Sequence, residues 1–296
     1  MGLGHRDGTR AGTAVGTIGC VPIPGIPSDV PSREALLEHL VRHRIAGDVA
    51  TPRENNRSHF RSLAEGDQYY WLGLDFGDRW TDELDVLAVM VERCGVIADP
   101  EHVEGPDTID PELTVSALER MADRLRRAGE RRETVLLATG HPGGLLDVHR
   151  ATAMALRAAG CEVMAIPDDV TTDDGMIVQF ADVAMLNRGA TLHHTHSPDG
   201  MDAILDALER EGRAWPDLVV ADHGWAGCAA RRGLDSLGYA DCNDPGLFVG
   251  EAEGTMLVTV PLDDNVKGPR PYDPMTAYLL DRAGLLDPDP ALVAVG

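Results

Sequence analysis

The sequence predicts an α/β protein in which a mostly parallel sheet, flanked by helices, follows a helical N-terminal region. From residue 133 onward, short apolar runs alternate with glycine-containing turns and with helical patterns of apolar residues. This alternation is typical of parallel sheets, because parallel strands need a crossover connection that is usually a helix. Polar clusters directly follow several of these runs. The carboxyl ends of strands form the ligand crevice of such sheets, so we expect a site there.

The first part of the chain has apolar residues at helical spacing and recognisable helix starts. Ser32 and Asp110-Pro111 precede two such patterns as N-cap residues do, and Thr81 precedes a third. The polar stretch at residues 47–56 has no apolar period and favours a surface loop. The predicted helices cover residues 31–44, 58–64, 81–94 and 110–128.

The second part contains short apolar runs typical of strands, separated by amphipathic helices. The predicted helices cover residues 144–159, 199–211 and 274–283, with others between the last strands. The predicted strands cover residues 134–138, 162–166, 218–221, 237–240 and 256–260, with two more within 176–194 around Asn187-Arg188-Gly189. We therefore expect a disordered leader over 1–30, a mainly helical region packing on the core over 31–130, an α/β catalytic domain over 131–286, and a tail over 287–296.

Composition excludes several classes of function. The chain has 26 basic and 49 acidic residues, a net charge of −23, so it lacks the basic face of a nucleic-acid or anionic-membrane binder. Lys267 is the only lysine, which excludes a P-loop and makes a Schiff-base mechanism unfavourable. Five scattered cysteines without a C-x-x-C pair favour a reducing cytoplasm. No apolar stretch predicts a membrane span or a signal peptide.

Carboxylates and amides follow the predicted strands at 218–221, 237–240 and 256–260. Oxygen donors of this kind suit Mg²⁺ or Mn²⁺, and a neighbouring histidine shifts the preference towards Mn²⁺ or a heavier metal. Any one of these residues alone would more often be a turn or cap residue, but agreement at three strand ends favours a divalent metal site. The predicted ligands are Asp222, Asp241, Asn243, Asp244 and Asp263, with Asp264 and Asn265 in the same set.

A glycine-rich turn between a predicted strand and helix contains Gly140, Gly143 and Gly144. Free amides at a helix start bind phosphate well, so these three glycines are predicted phosphate contacts; a tight turn with a glycine cap is the alternative. Arg150 follows in the helix and either clamps a phosphoryl oxygen or faces solvent. Arg53 and Asn55 are candidate substrate contacts, with a surface loop as the other interpretation.

Three histidines, His193, His194 and His196, lie close together before a predicted helix. His194 and His196 would share one face of an extended segment, and imidazole is a common metal ligand, but their role stays open at this stage. The cysteine-phosphatase loop, the Arg-His-Gly motif, the aspartyl-phosphate motif and the G-x-S-x-G elbow are all absent.

Several longer motifs carry a family resemblance across residues 31–286. They are RIAG at 44–47 with TPRENN at 51–56, TGHPGGLLDVHR at 139–150, ADHGWAGC at 221–228, DCNDP at 241–245 and PYDPMT at 271–276. Together they resemble a family of actinobacterial proteins described as phosphatases, and the resemblance implies that activity. A helical region followed by strand-end Asp and Asn residues is also loosely similar to metal-dependent damage-control phosphatases.

The resemblance and the strand-end chemistry together predict a cytoplasmic, metal-assisted phosphatase for a small phosphomonoester. The predicted catalytic residues are Asp222, His223 and His141, with His223 or His141 protonating the leaving group. The expected partners are a small phosphorylated substrate and Mg²⁺ or Mn²⁺, without nucleic acid or membrane. A lyase, cyclase or isomerase acting on a small carboxylate or sugar acid, or a non-catalytic binding protein, would use the same crevice.

Overall fold

A computed structural model of the chain describes residues 29–286. It confirms the predicted fold class, a mixed α/β protein with a mostly parallel sheet flanked by helices. The predicted tail, and the predicted leader apart from its last two residues, lie outside the described part, and the division into regions stays a prediction. Among the described helices, none combines the length and apolar character needed to cross a membrane.

The N-terminal region contains predicted helices and a small sheet that the sequence did not predict. Ser32 caps the first helix, because its Oγ accepts a hydrogen bond from Ala35 N–H at 3.2 Å. The cap predicted at Thr81 is wrong, since Asp82 Oδ1 accepts from Leu84 N–H at 2.8 Å instead. The elements are α1 (Arg33–Arg42), β1 (Gly47–Pro52), α2 (Arg53–Ala64), α3 (Glu83–Arg93), β2 (Pro106–Ile109) and α4 (Pro111–Arg131).

The loop predicted over residues 47–56 is instead strand β1 and the start of α2. β1 pairs antiparallel with β2, with Gly47 opposite Ile109 and Asp48 opposite Thr108. Val49 is the apolar residue that β1 buries, so the strand has too little apolar alternation to be detected. α2 begins five residues earlier than predicted because its first turn buries Arg53 and Asn56, which hides its helical period.

The central sheet has the order β11-β10-β9-β3-β7-β6-β5, with β4 also paired to β3 and β8 to β7. Strands β11 to β7 in this order are parallel, whereas β5, β6 and β8 are antiparallel additions. The strands are β3 (Thr134–Ala138), β4 (Glu162–Val163), β5 (Thr171–Thr172), β6 (Gly175–Phe180), β7 (Val183–Arg188), β8 (Thr191–Leu192), β9 (Leu218–Asp222), β10 (Asp235–Ala240) and β11 (Val258–Pro261).

Two strand predictions need correction. The run at 162–166 forms a strand only over its first two residues. The two strands expected around Asn187-Arg188-Gly189 are β6 and β7, and they reverse earlier, at Ala181 and Asp182. Both residues adopt left-handed backbone angles, φ +50° and +68°, as a tight hairpin turn requires. Ala181 is an unusual residue for that conformation, so this turn has no clear signal in the sequence.

The remaining helices cover the two faces of the sheet. They are α5 (Pro142–Ala158), α6 (Asp199–Arg210), α7 (His223–Arg231), α8 (Pro245–Ala252) and α9 (Asp273–Arg282). α4 of the N-terminal region packs along edge strand β11, where Thr114 Oγ1 donates to Pro261 O at 2.8 Å. One continuous hydrophobic core therefore joins the N-terminal helices to the sheet.

The strand order places a switch point at the centre of the sheet. From β3 the chain continues to β4 and β7 on one side and later returns to β9 on the other side. Connections leaving β3 and β9 therefore diverge, which opens a crevice between their carboxyl ends. The segments Gly140-His141 and Asp222-His223 lie at these two ends.

The buried ion pair between Arg53 and Asp107 provides a test of the N-terminal region. Both side chains are fully buried, and Nη1 lies 2.9 Å from Oδ2. We expect Arg53→Met to lower the free energy of unfolding by about 3–5 kcal/mol, because Asp107 would keep a buried charge without its cation. Urea unfolding measures this change.

The matched control is Arg61→Met, which removes an arginine that is 57% exposed and pairs with Glu83. Its cost should stay below about 1 kcal/mol. Equal stability losses for the two variants would contradict a structural role for the buried pair.

Candidate functional site

The carboxyl ends of four adjacent parallel strands bring one cluster of buried polar side chains together. β3 is followed by His141, β9 ends at Asp222 and is followed by His223, β10 is followed by Asp241 and Asp244, and β11 is followed by Asp263 and Asp264. Each of these side chains is at most 7% exposed. Side chains that are distant in sequence therefore share one pocket at the edge of the sheet.

Asp222 connects the segments that follow β3 and β9 through hydrogen bonds of its side chain. Its Oδ2 lies 2.8 Å from His149 Nε2, and its Oδ1 lies 2.8 Å from both His223 Nδ1 and Gly140 N. Burial alone would raise the pKa of this carboxyl, but the hydrogen bonds to the two imidazoles hold it well below its usual range. Asp222 therefore stays charged, and its oxygens are already occupied by N–H donors.

His223 projects its second nitrogen into the middle of the cluster. Nε2 lies 3.4 Å from His194 Nε2 and 3.5 Å from one carboxylate oxygen each of Asp244 and Asp264. The residue has a left-handed φ of +48°, a conformation that is uncommon outside glycine and is kept here by its hydrogen bond to Asp222. Burial lowers the pKa of His223, but Asp244, Asp222 and Asp264 together raise it to about 10.

The histidine segment between β8 and α6 closes the pocket. Thr195 N–H donates to Gly140 O at 2.8 Å, and the rings of His194 and His141 stack with centroids 4.2 Å apart. Burial and the neighbouring His223 lower the pKa of His194 to about 4 and that of His196 to about 2. Both imidazoles are therefore neutral near pH 7, which is the form that binds metals.

Asp241, Asp263 and Asp264 form the acidic side of the cluster, with one ligand oxygen from each within 4.8 Å of the others. Thr51 Oγ1 donates to Asp241 at 2.6 Å, and Ala50 N–H donates to Asp263 at 3.2 Å. Burial and the charges of Asp264 and Asp263 raise the pKa of Asp241 well above its ordinary range. Burial also raises the pKa of Asp244, to about 6. This concentration of negative charge disfavours the ionised cluster unless a cation is added.

Four buried atoms in the cluster face each other without forming hydrogen bonds among the described residues. His141 Nδ1 lies 3.1 Å from Asp264 Oδ2, and His196 Nδ1 lies 3.6 Å from Asp244 Oδ1. Unpartnered buried polar atoms are costly and rare in folded proteins. Imidazole nitrogens and carboxylate oxygens are the donors that Zn²⁺, Mn²⁺ and related cations take, so this donor set fits a divalent cation.

The predicted phosphate turn is mostly occupied by internal contacts. Gly140 N–H donates to Asp222, and Gly144 N–H donates to His141 O at 3.1 Å. A side chain at either position would clash, at Gly140 with the carbonyl of Thr195 and at Gly144 with that of Asp264. These two glycines permit close packing of the loops, whereas Gly143 N–H donates to no described atom and lies in the first turn of α5.

The other predicted contacts lie at different distances from the cluster. Arg53 is buried in its ion pair with Asp107, and Arg150 pairs with Asp147 at 3.5 Å on α5. Asn55 is half-buried on α2, one turn before His59. The backbone carbonyl of Asn243 accepts a hydrogen bond from His59 Nδ1 at 2.7 Å. Of these four residues, Asn243 adjoins the cluster, one position before Asp244, whereas no hydrogen bond within residues 29–286 joins the Asn55 side chain to it.

Sequence reasoning missed two contributors, His149 and Tyr69. His149 lies one turn after Leu145 on the buried face of α5, so a lone histidine on an apolar stripe was the available signal. Tyr69 stacks on His196 with ring centroids 5.0 Å apart, and both line a neighbouring cavity of about 480 Å³ together with Trp71, Leu74 and Arg231. Nothing in the local pattern around Tyr69 indicated this contact.

Comparison with known proteins agrees with the predicted relationship. The family described as "Phosphatase" matches residues 31–287 of the chain. A protein named "Phosphatase SCO2771" from Streptomyces coelicolor is 69% identical over 265 residues, covering 90% of this chain and 100% of that relative. The family resemblance drawn from the motifs is thus confirmed, and it supports a hydrolase with phosphatase activity. The chain belongs to this Phosphatase family, which includes actinobacterial members.

Proposed function

We propose that the chain is a metal-assisted phosphatase acting on a small-molecule phosphomonoester. The main support for a bound metal is the position of His223 Nε2, which lies 3.4–3.5 Å from ligand atoms of His194, Asp244 and Asp264. Family membership supports the reaction, and the donor set supports the cation. A divalent cation would neutralise charge on the phosphoryl group and make water a better nucleophile.

Among the predicted ligands, the contacts favour Asp241, Asp244 and Asp263 as direct ones. Asp264, from the same predicted set, is favoured as well. We add the imidazoles of His194, His196 and His223, because His194 groups with His223, and His196 and His223 group with Asp244. Asp222 is better described as a positioning residue, because its hydrogen bonds orient His223 and His149. The contact found for Asn243 is the hydrogen bond between its backbone carbonyl and His59, and it does not place the Asn243 side chain among the ligands, so we omit this residue from the ligand set.

The size of the adjacent cavity supports a small substrate. Its volume of about 480 Å³ falls in the range typical of small-molecule sites. His196 lines it and, with Nδ1 3.6 Å from Asp244 Oδ1, connects it to the other proposed metal ligands. Tyr69, Trp71 and Leu74 offer apolar surface to the organic part of the substrate. Of the three predicted glycines, Gly143, in the first turn of α5, remains a candidate to donate its N–H to a phosphoryl oxygen.

We assign protonation of the leaving group to His141 rather than His223. Both nitrogens of His223 face carboxylates, Nδ1 at 2.8 Å and Nε2 at 3.5 Å, so neither is directed at a substrate. His141 faces a carboxylate with Nδ1 alone, at 3.1 Å from Asp264. Its Nε2 has no partner among the described residues and is available to donate a proton.

The first test measures turnover of p-nitrophenyl phosphate by the full chain before and after metal removal with EDTA. We expect at least about 100-fold loss after chelation and recovery on adding Mn²⁺ or Mg²⁺. Asp147→Asn, a change of a carboxylate that is 58% exposed on α5, should retain wild-type turnover and serves as the control.

Two outcomes of this test have different meanings. Turnover that is unchanged by chelation would contradict metal dependence but would still support phosphatase activity. No turnover with any divalent cation would remove the proposed reaction and favour a lyase, a cyclase, an isomerase or a binding protein.

The second test examines the proton donor. His141→Gln should slow hydrolysis of an alkyl phosphate by about 100-fold or more, because its leaving alkoxide needs a proton. Hydrolysis of p-nitrophenyl phosphate should slow far less, because nitrophenolate leaves without one. The measurement is kcat for both substrates in the metal-loaded protein.

His193→Gln provides the matched control, since His193 is exposed and lies in the histidine segment. It should leave both rates unchanged. Equal losses for both substrates in His141→Gln would mean that His141 acts in another way, for example as a metal ligand.

The third test uses stability, because two carboxylates of the cluster should respond in opposite directions. In chelator at pH 8, Asp241→Asn should raise the free energy of unfolding by about 1 kcal/mol, since it removes an unfavourable buried charge. Asp222→Asn should lower it by about 3–5 kcal/mol, since it breaks a hydrogen-bonded buried charge network. Urea unfolding of the metal-free variants measures both.

The expected pH dependence follows from the pKa directions. The pKa of Asp241 in the folded protein lies above its ordinary value of 3.8. The charge of Asp241 therefore does not destabilise the fold below about pH 3.8, and its destabilising effect grows as the pH rises above that value. The gain from Asp241→Asn should therefore shrink towards pH 4. A loss of stability in Asp241→Asn at pH 8 would contradict the proposed charge repulsion.

A further inference from the structure

We propose that the site holds two divalent cations in pockets of different chemistry, with Asp264 shared between them. This inference rests on the metal-dependent function proposed above. The nitrogen-rich pocket is centred on His223, which groups with His141 and His194 on one side and with His196 and Asp244 on the other. The oxygen-rich pocket consists of Asp241 and Asp263. Asp264 borders both pockets.

The spacing around His223 Nε2 fits one cation in the nitrogen-rich pocket. Bonds of about 2.1 Å place neighbouring ligand atoms of a tetrahedral site about 3.4 Å apart. The observed distances from Nε2 are 3.4 Å to His194 Nε2 and 3.5 Å to oxygens of Asp244 and Asp264. His196 Nδ1 and Asp244 Oδ1 add two buried atoms without hydrogen bonds on the same side.

The carboxylates of the oxygen-rich pocket favour a second cation. One divalent ion beside Asp244 and Asp264 is already balanced by those two carboxylates. Asp241 and Asp263, at 2% and 1% exposure, then remain as buried anions. Among residues 29–286, neither forms an ion pair with an arginine, a lysine or a histidine. The charge of Arg44 acts on Asp263, but its guanidinium donates to the backbone carbonyls of Asp48 and Val49 and forms no ion pair with Asp263. Buried charges without a directly paired counter-ion are unfavourable, so a second cation would stabilise the ionised form of this pocket.

Asp264 has the contacts that a shared ligand needs. Its Oδ1 accepts a hydrogen bond from Asn265 Nδ2 at 2.8 Å, which fixes the carboxylate plane. Its Oδ2 is buried, has no hydrogen bond among the described residues, and lies 3.5 Å from His223 Nε2. Asp264 also groups with Asp241 and Asp263, with ligand atoms within 4.8 Å. An unpartnered, buried oxygen thus points into the cluster from the boundary of the two pockets.

The donor types predict different preferences for the two pockets. Imidazole with carboxylate suits Zn²⁺, Mn²⁺ or Co²⁺, whereas an all-oxygen site suits Mg²⁺, Mn²⁺ or Ca²⁺. Mn²⁺ is compatible with both, so it is the probe of choice. Phosphate-hydrolysing sites commonly use two cations to stabilise the attacking and leaving oxygens of one displacement.

The test counts Mn²⁺ in the full chain after chelation, reloading and desalting, by mass spectrometry of the metal content. We expect about two ions per chain in the wild type and a spin-coupled Mn²⁺ signal by electron paramagnetic resonance. Asp263→Asn and His194→Ala should each reduce the count to about one and remove the coupling. Asp123→Asn, which changes an exposed carboxylate on α4, should keep the wild-type count.

A wild-type count of about one, or an unchanged count in Asp263→Asn, would overturn the second site. The wild-type count needs no variant, so misfolding of a variant does not decide the result; circular dichroism verifies the fold of each variant. Hydrolysis of p-nitrophenyl phosphate by a one-ion wild type would keep the proposed function while rejecting the second cation. Two bound ions without any hydrolysis would support the second cation while rejecting the proposed phosphatase function.

Discussion

The hydrogen bonds of Asp222 are the constraint on which the rest of the site depends. This one carboxylate lies at the end of β9 and contacts the turn after β3, the buried face of α5 and the first residue of α7. It fixes the orientation of His223 and helps to keep that residue in a left-handed conformation. Because its own charge is satisfied by N–H donors, Asp222 can remain ionised in a fully buried position.

The remaining carboxylates are in the opposite situation, and the N-terminal region explains how they are held together. Thr51 and Ala50 of β1 donate to Asp241 and Asp263, and Asp263 N–H donates to Ile45 O. The small β1–β2 sheet is therefore part of the site and not only a cover for the core. Its hydrogen bonds hold charges that repel each other, as functional sites often do at the expense of stability.

Sequence reasoning predicted the fold class and the strand ends because these depend on local signals. Buried parallel strands such as β9 are short continuous apolar runs, and the polar residues after them stand out. It could not separate the roles of neighbouring residues. Asp222 and Asp244 look alike in sequence, yet N–H donors surround the first while an unpartnered oxygen remains on the second. Such differences arise from contacts between strands, which no local spacing encodes.

The polar residues that did not behave as predicted follow the same logic. Arg53 was a candidate substrate contact, but its partner Asp107 lies 54 positions away, so the buried pair was invisible in the sequence. Gly140 and Gly144 belong to a glycine-rich turn before a helix, a pattern that predicts a phosphate-binding loop. Their absent side chains instead make room for the carbonyls of Thr195 and Asp264. A glycine can serve a ligand or a neighbouring loop, and only the folded chain distinguishes these uses.

Because of the strand order, the type of donor atom changes steadily along this edge of the sheet. Moving from β11 to β3, the strand ends contribute Asp263 and Asp264, then Asp241 and Asp244, then His223, then His141. Oxygen donors thus give way to nitrogen donors towards the switch point, where the exposed His194 borders solvent. In the proposed reaction, a substrate held in the cavity beside His196 would meet a neutral imidazole before the carboxylates. Such an order would limit repulsion between an anionic phosphate and the acidic side of the site, because the imidazoles would lie nearer to the substrate than the buried carboxylates.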